Sequence, residues 1–335
     1  MGVLDDVREA LGSQAASKEA VAEPQAVDGK TYDCAIIGGG PAGLSAAIYM
    51  GRMRRSVVVI DDDKGRSNWH QVNRNYLGFV DGIHARSLRE VGEKQASKYG
   101  VRFLPARATT ASYVGEEGPD RIFTIETNDG IVRARTLILC TGVKDRFPEF
   151  DGSEECIGQS MFWCIICDGY ESIGKKIVVL GHNERAASLA LQLKVFTDDI
   201  TLVSWDEPFN LEESIFGRLR EHNIPTHDSG CNLFTCSQGQ LETIKLENGT
   251  ELELDMVFVA QWIEPNTQLA QQLDVYLDQH GYIVADAEQC TNVGGVYAAG
   301  DVTKLNNHQI TSAVHEGGMA AAAANYYLYE DWQKE

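Results

Sequence analysis

The chain has 335 residues, 43% of them hydrophobic and 23% charged, enough for two domains that each bury a core. Its net charge of −20 is unevenly placed: residues 1–150 carry 20 basic and 20 acidic side chains, residues 151–335 carry 9 and 29. That acidic half makes nucleic acid and anionic membranes poor partners, and no apolar run approaches the roughly 18 residues of a membrane span.

Residues 1–30 are polar, and Val3, Leu4, Val7 and Leu11 suggest one short amphipathic helix in a mobile arm without a catalytic part. The arm lacks the apolar or Arg-rich pattern of a targeting peptide, so a cytoplasmic protein is expected. Eight cysteines in a chain this long do not suggest a disulfide scaffold, whereas one chemically active pair fits.

Tyr32–Ile37 reads as a buried strand, followed at once by Gly38-Gly39-Gly40-Pro41-Ala42-Gly43. Gly38 permits a tight turn, Gly40 lets backbone N–H groups approach a pyrophosphate, and Gly43 lets the helix pack on the strand. Pro41 suits a first helical position, and the helix to about Arg54 turns its positive end toward the phosphates. A second strand, Val57–Ile60, ends in Asp61, about twenty residues beyond the glycines, where a ribose hydroxyl would be held. Strand, glycine loop, helix and acid together predict a dinucleotide site.

A helix of about Ala85 to Tyr99 comes next, then strand-like runs at about Arg107–Val114, Arg121–Thr127 and Ile131–Cys140, as in an antiparallel meander. The last leads into Thr141-Gly142. After Pro148 and Gly152 the pattern restarts. Ser160-Met-Phe-Trp-Cys164-Ile-Ile-Cys167-Asp168 puts two thiols two residues apart with a carboxylate directly after. One sulfur can attack a partner disulfide while the other resolves the mixed intermediate, and the acid can move the proton. The spacing alone also suits zinc or buried structural cysteines. Zinc lacks a second ligand pair, and the other six cysteines, Cys34, Cys140, Cys156, Cys231, Cys236 and Cys290, read as structural.

Ile177–Leu180, the turn Gly181-His-Asn183-Glu-Arg-Ala186, a helix to about Phe196 and the strand Ile200–Val203 form a second βαβ unit. A helix at Leu211–His222 and strand-like runs near Leu241–Leu246 and Leu252–Val259 complete it. The first domain resumes at Gly295 through Gly300-Asp301, and a long helix from Gln309 ends in the aromatic tail Tyr326, Tyr327, Tyr329 and Trp332.

Across residues 31–330 this order of motifs resembles the low-molecular-weight thioredoxin reductases. The resemblance implies an α/β chain with two Rossmann-like dinucleotide-binding domains. The FAD domain spans 31–150 and 281–335, and is interrupted by a pyridine-nucleotide-type domain at 151–280 that carries the Cys-x-x-Cys. By resemblance Gly38, Gly40, Pro41, Ala42, Gly43, Asp61, Asn75, Thr141, Gly142, Gly300, Asp301, His308, Gln309 and Ile310 would bind FAD. Where the family carries Arg before the Gln, this chain has His308. Cys167 would face the flavin, Cys164 would attack a thioredoxin-like disulfide and Asp168 would serve as acid–base, in a homodimer.

The second nucleotide site departs from the family. Its Gly-x-Gly-x-x-Ala corresponds to Gly181, Asn183 and Ala186, so a side chain stands where backbone should approach pyrophosphate. The family's His-Arg-Arg clamp on a 2′-phosphate corresponds to Ser204-Trp205-Asp206, and a further Arg to Asn210. NADPH is therefore not expected as donor. The chain is similar in this to ferredoxin-linked flavin thioredoxin reductases and diflavin-linked disulfide oxidoreductases, which points to ferredoxin or another low-potential donor. Arg52, Arg54, Arg55, Arg86 and Arg89 offer a basic patch for an acidic partner, and Tyr329 or Trp332 a ring to stack on the flavin. An NAD(P)H-dependent reductase with an unusual site, an oxygen-dependent dithiol oxidase and a flavin-bound redox sensor remain open alternatives.

Overall fold

The computed structural model describes residues 26–334 except 70, 119, 261, 262 and 305. The amphipathic stretch expected at Val3–Leu11 lies outside the described residues. Residues 26–30, expected to belong to the arm, are the first part of the strand Ala26–Ile37.

Two sheets organise the chain. The first runs Arg102–Pro105, Val57–Asp61, Ala26–Ile37, Gly130–Leu139, Ile122–Thr127, Ala108–Val114, with Val296–Ala298 also beside Gly130–Leu139. Its nucleotide-binding half is parallel, with Ile36 opposite Val59 on one side and Ile138 on the other. The meander at Ala108–Leu139 is antiparallel. The central strands are covered on both faces, which is why Val57–Ile60 is apolar at every position and buried throughout.

The second sheet runs Met161–Phe162, Met256–Val259, Ile177–Leu180, Ile200–Trp205, Thr226–Ser237, Gln240–Leu246, Glu251–Glu253. Ile177–Leu180 and Met256–Val259 are again fully buried apolar runs. A two-stranded ribbon, Val143–Asp145 against Ile263–Pro265, carries the chain out to the second sheet and back. The helix Pro41–Arg52 crosses the final helix Ile310–Tyr327 closely, because a Cβ on Gly317 would stand 2.1 Å from the Ala42 carbonyl oxygen. No helix among the described residues is long and apolar enough to cross a membrane.

Candidate active site and its two nucleotide loops

The first glycine loop is shaped by close backbone approach. Gly38 has φ +106°, and a Cβ there would stand 2.2 Å from the Cys140 carbonyl oxygen. A Cβ on Gly43 would stand 1.9 Å from the Gly38 carbonyl oxygen, so only glycine lets the helix sit on its strand. Gly40, at the helix start, has open space on its Cβ side, with Ser67 Oγ the nearest atom at 4.0 Å. No side chain caps this helix, so its first N–H groups face the cradle without a side-chain acceptor. An open cradle of backbone donors at a positive helix end fits the FAD pyrophosphate.

Around that cradle the structure gathers the remaining expected residues. Asp61 reaches Gly39 and is ion-paired to Arg89. Thr141 donates its hydroxyl to the Asn266 carbonyl at 2.6 Å, and the Asn266 amide returns a bond to the Thr141 carbonyl at 2.9 Å. Gly300 N–H donates to buried Glu316 at 2.8 Å, fixing the turn before Asp301, and Lys304 pairs with the same carboxylate. Burial raises the Asp301 carboxyl, opposed by Arg66 and His308. His308 makes a 2.6 Å ring-nitrogen contact with the Lys304 carbonyl. Ile310 opens the final helix.

The redox motif lies against the start of that helix. Cys164 and Cys167 are joined as a disulfide on the one-turn helix Ile165–Asp168, and the Cys167 N–H points at Cys164 Sγ from 3.1 Å. The Gln309 amide nitrogen lies 3.5 Å from Cys164 Sγ and 3.4 Å from Cys167 Sγ. Asn75 donates its side-chain amide to the Gln309 oxygen at 3.0 Å, which aims the Gln309 nitrogen at the sulfurs. Asp168, directly after Cys167 in the chain, is buried. Burial pushes its carboxyl up to about 7; the nearby Glu171 charge adds to this and Arg74 opposes it. A carboxyl poised near neutrality can hold or release a proton beside the sulfurs.

Several residues here were not expected from sequence. Arg66 donates to Asp145 of the ribbon at 2.6 Å, pairs with Asp301 at 3.5 Å and stacks over Trp163 at 5.7 Å. Trp69, Phe147 and Trp163 pack edge-on within 4.9–5.5 Å, joining the first unit, the linker and the residue before Cys164. Tyr282 is 1% exposed, and its hydroxyl has no hydrogen-bond partner among the described residues. None of these carries a motif; only the fold brings them together.

The second loop is built differently. Gly181 has φ +152°, and a Cβ there would stand 2.8 Å from Ala186 Cβ and 2.9 Å from the Ala260 carbonyl oxygen. Asn183 caps the helix Glu184–Leu193, its side-chain oxygen accepting from Arg185 N–H at 3.1 Å and Ala186 N–H at 3.3 Å. The intervening His182 has its ring nitrogens 3.4 Å from Asp206 and 3.6 Å from Glu207, and its carbonyl accepts from Asn210 N–H at 2.7 Å. The segment 206–210 is thus folded onto the loop.

Two expectations are corrected. Arg89 is consumed by Asp61, Asp63 and Glu93 and so does not join a patch, whereas Arg86 is exposed and donates to the Asn68 carbonyl. Arg52, Arg54 and Arg55 do line one shallow pocket with Lys98, at the end of their helix away from the phosphate cradle. The tail is also misplaced for stacking on this chain's own flavin. Tyr329 lies under Arg55 at 5.6 Å, and Trp332 is 77% exposed. The 18-residue final helix carries its own end about 27 Å from Gln309, and both rings follow that end. Among the described residues no group of His, Cys, Asp and Glu is arranged to hold a metal.

Two dinucleotide-type sheets and a Cys-x-x-Cys disulfide held over the first of them define a flavin-dependent disulfide oxidoreductase. The chain belongs to the pyridine nucleotide-disulphide oxidoreductase family, whose model matches residues 32–317. It is 32% identical over 305 residues to the thioredoxin reductase of Treponema pallidum, covering 89% of this chain and 97% of that one. It is 31% identical to the 34.2 kDa protein in the rubredoxin operon of Clostridium pasteurianum, over 89% and 98% of the two chains. The crystal structure of thioredoxin reductase from Streptococcus pyogenes superposes with a TM-score of 0.81 at 26% identity, over 89% and 98%.

Proposed function

We propose that the chain reduces the disulfide of thioredoxin or a thioredoxin-like protein, and that its electrons come from reduced ferredoxin or another low-potential donor, not from NADPH. The observation that carries the donor reading is Asn183, whose side chain takes the helix N–H groups that a pyrophosphate would need. Asp206 stands where the family's phosphate clamp would be, and one like-charge contact at about 4 Å costs on the order of 1–4 kcal/mol. Together with the lost arginine contacts, this weakens NADPH binding by several orders of magnitude. NADH meets the same occupied helix end but not the 2′-phosphate repulsion. A homodimer and a cytoplasmic setting complete the reading.

Bound FAD would supply the two electrons that open the Cys164–Cys167 disulfide. Gln309 holds an amide donor beside both sulfurs and favours negative charge there as the bond opens. Asp168, protonated below about pH 7, gives its proton to the departing sulfur and takes it back during exchange with the protein substrate. Cys164 then attacks the substrate disulfide and Cys167 resolves the mixed disulfide, releasing the reduced dithiol.

An anaerobic multiple-turnover assay with a thioredoxin tests this reading, comparing reduced ferredoxin with NADPH as donor. Ferredoxin-driven reduction at least about tenfold faster than NADPH-driven reduction is expected. Equal or faster NADPH turnover overturns the donor assignment. Oxygen uptake with small dithiols in place of thioredoxin reduction would favour the dithiol oxidase instead.

A further inference from the structure

The inserted unit contains a second pair of cysteines, remote in sequence from the redox motif. Cys156 closes the short helix Ser153–Cys156 and is fully buried. Cys236 lies 80 residues further on, near the end of the strand Thr226–Ser237, partly open to solvent. The structure joins their sulfurs as a disulfide, with the Cα atoms 7.4 Å apart.

The other cysteines outside the redox motif lack such a partner. Cys34 and Cys140 are fully buried, and burial raises both thiols, that of Cys34 to about 12. Burial pushes Cys231 up to about 12 and Cys290 up to about 11. None of these four is bonded to another cysteine. Cys156 and Cys236 are the pair that geometry sets apart.

Their surroundings connect the pair to the redox helix. Phe150, just before Cys156, stacks on Phe234 at 4.6 Å and 7° between ring planes. Ser160 donates its hydroxyl to the Gly239 carbonyl at 2.8 Å and accepts from Leu241 N–H at 3.0 Å. The segment 150–160 is thereby fastened along the hairpin Thr226–Leu246. The same segment meets the first unit: a Cβ on Gly158 would stand 2.8 Å from Gln71. It then runs directly through Met161–Phe162 into Cys164.

We propose that the Cys156–Cys236 disulfide is reversible, and that its state sets how firmly the segment leading into the redox helix is held. The oxidant is a low-molecular-weight disulfide of the glutathione type. Cys236, the accessible member, attacks one sulfur as thiolate and releases one small thiol. Cys156 attacks Cys236 Sγ, and its proton goes to the departing small thiolate, releasing the second. One external disulfide is reduced to two thiols, and one protein dithiol is oxidised to a disulfide.

The test is thiol mapping of the full-length, FAD-bound protein. The protein is equilibrated anaerobically in a series of glutathione buffers, acid-quenched, alkylated and digested. A Cys156–Cys236 cross-linked peptide in the oxidising buffers, replaced by two alkylated peptides in the reducing ones, is expected. The Cys164–Cys167 peptide serves as the internal control for oxidation. Alkylation of Cys156 and Cys236 in buffers where Cys164–Cys167 is cross-linked overturns the proposal. Amide hydrogen exchange supplies the second readout: residues 150–160 should exchange at least about tenfold more slowly in the bridged form. Cys236→Ser should remove that response to oxidised glutathione while leaving thioredoxin reduction within about twofold. Equal exchange in both states contradicts the coupling to the redox segment.

Discussion

The two nucleotide loops start from the same plan, a buried strand, a glycine turn and a helix, and differ in who occupies the helix end. In the first loop Gly40 leaves the end open, and no side chain caps the helix Pro41–Arg52. In the second, Asn183 fills the corresponding place and bonds two of the free N–H groups itself. An N-cap of this kind contributes about 1 kcal/mol to the helix. A loop that satisfies its own backbone donors gains local stability and gives up its attraction for phosphate. Fold alone therefore does not tell which of the two sheets binds a nucleotide.

The largest expected contrast comes from placing the same small substitution in both loops. Gly43→Ala forces a Cβ against the Gly38 carbonyl, so the protein should purify without flavin absorbance and lose thioredoxin reduction by at least about 10³-fold. Gly181→Ala crowds Ala186 and Ala260, costing about 1–3 kcal/mol by thermal unfolding while flavin stays bound. Equal flavin loss in both variants would erase the contrast.

Next is Asp168→Asn, which should lower turnover by about 10²- to 10⁴-fold while flavin remains bound. Its pH dependence has a defined sign. The folded carboxyl titrates near 7 and the unfolded one near 3.8, so the folded protein holds the extra proton between them. The resulting stability is fully present below pH about 4, falls as pH rises to about 7, and is constant above. Asp168→Asn should flatten denaturant-derived stability over that window and be more stable than the parent at pH 8, by up to about 4 kcal/mol. An unchanged slope would show that Asp168 is solvated.

A smaller gain-of-function effect sharpens the comparison from the other side. Asn183→Gly with Asp206→Arg reopens the helix end and replaces the repelling charge. NADPH binding measured by calorimetry should strengthen at least about tenfold. Asn183→Gly alone should cost only a few tenths of a kcal/mol, since glycine is itself a tolerated N-cap.

Much of the frame was legible because it is local. The glycine loop, the strand ending at Asp61 and the Cys164–Asp168 run each declare their chemistry within a few residues. Departure from the pattern was equally legible at Asn183 and Asp206. What Asn183 does instead, capping its own helix, required the structure. The strand Arg102–Pro105 was passed over because it is short and only partly buried. Thr226–Ser237 was legible only in part, as a strand-like run around Cys231–Cys236, because its polar residues and Gly230 break the alternation of a half-buried strand. Arg66, Asn266, Glu316 and the Trp69–Phe147–Trp163 cluster come from segments far apart in sequence. The rings of the tail were legible, but the 18-residue helix that separates them from Gln309 became visible only in the fold. Arg89 likewise carried a visible charge, while its three acidic partners became visible only in the fold.

The central claim is that the second loop no longer delivers electrons from NADPH. Anaerobic stopped-flow mixing of the FAD-loaded protein with micromolar NADPH, beside the same mixing with reduced ferredoxin, tests it most directly. The account predicts flavin absorbance that persists with NADPH and bleaches with ferredoxin. Rapid bleaching at micromolar NADPH would contradict it.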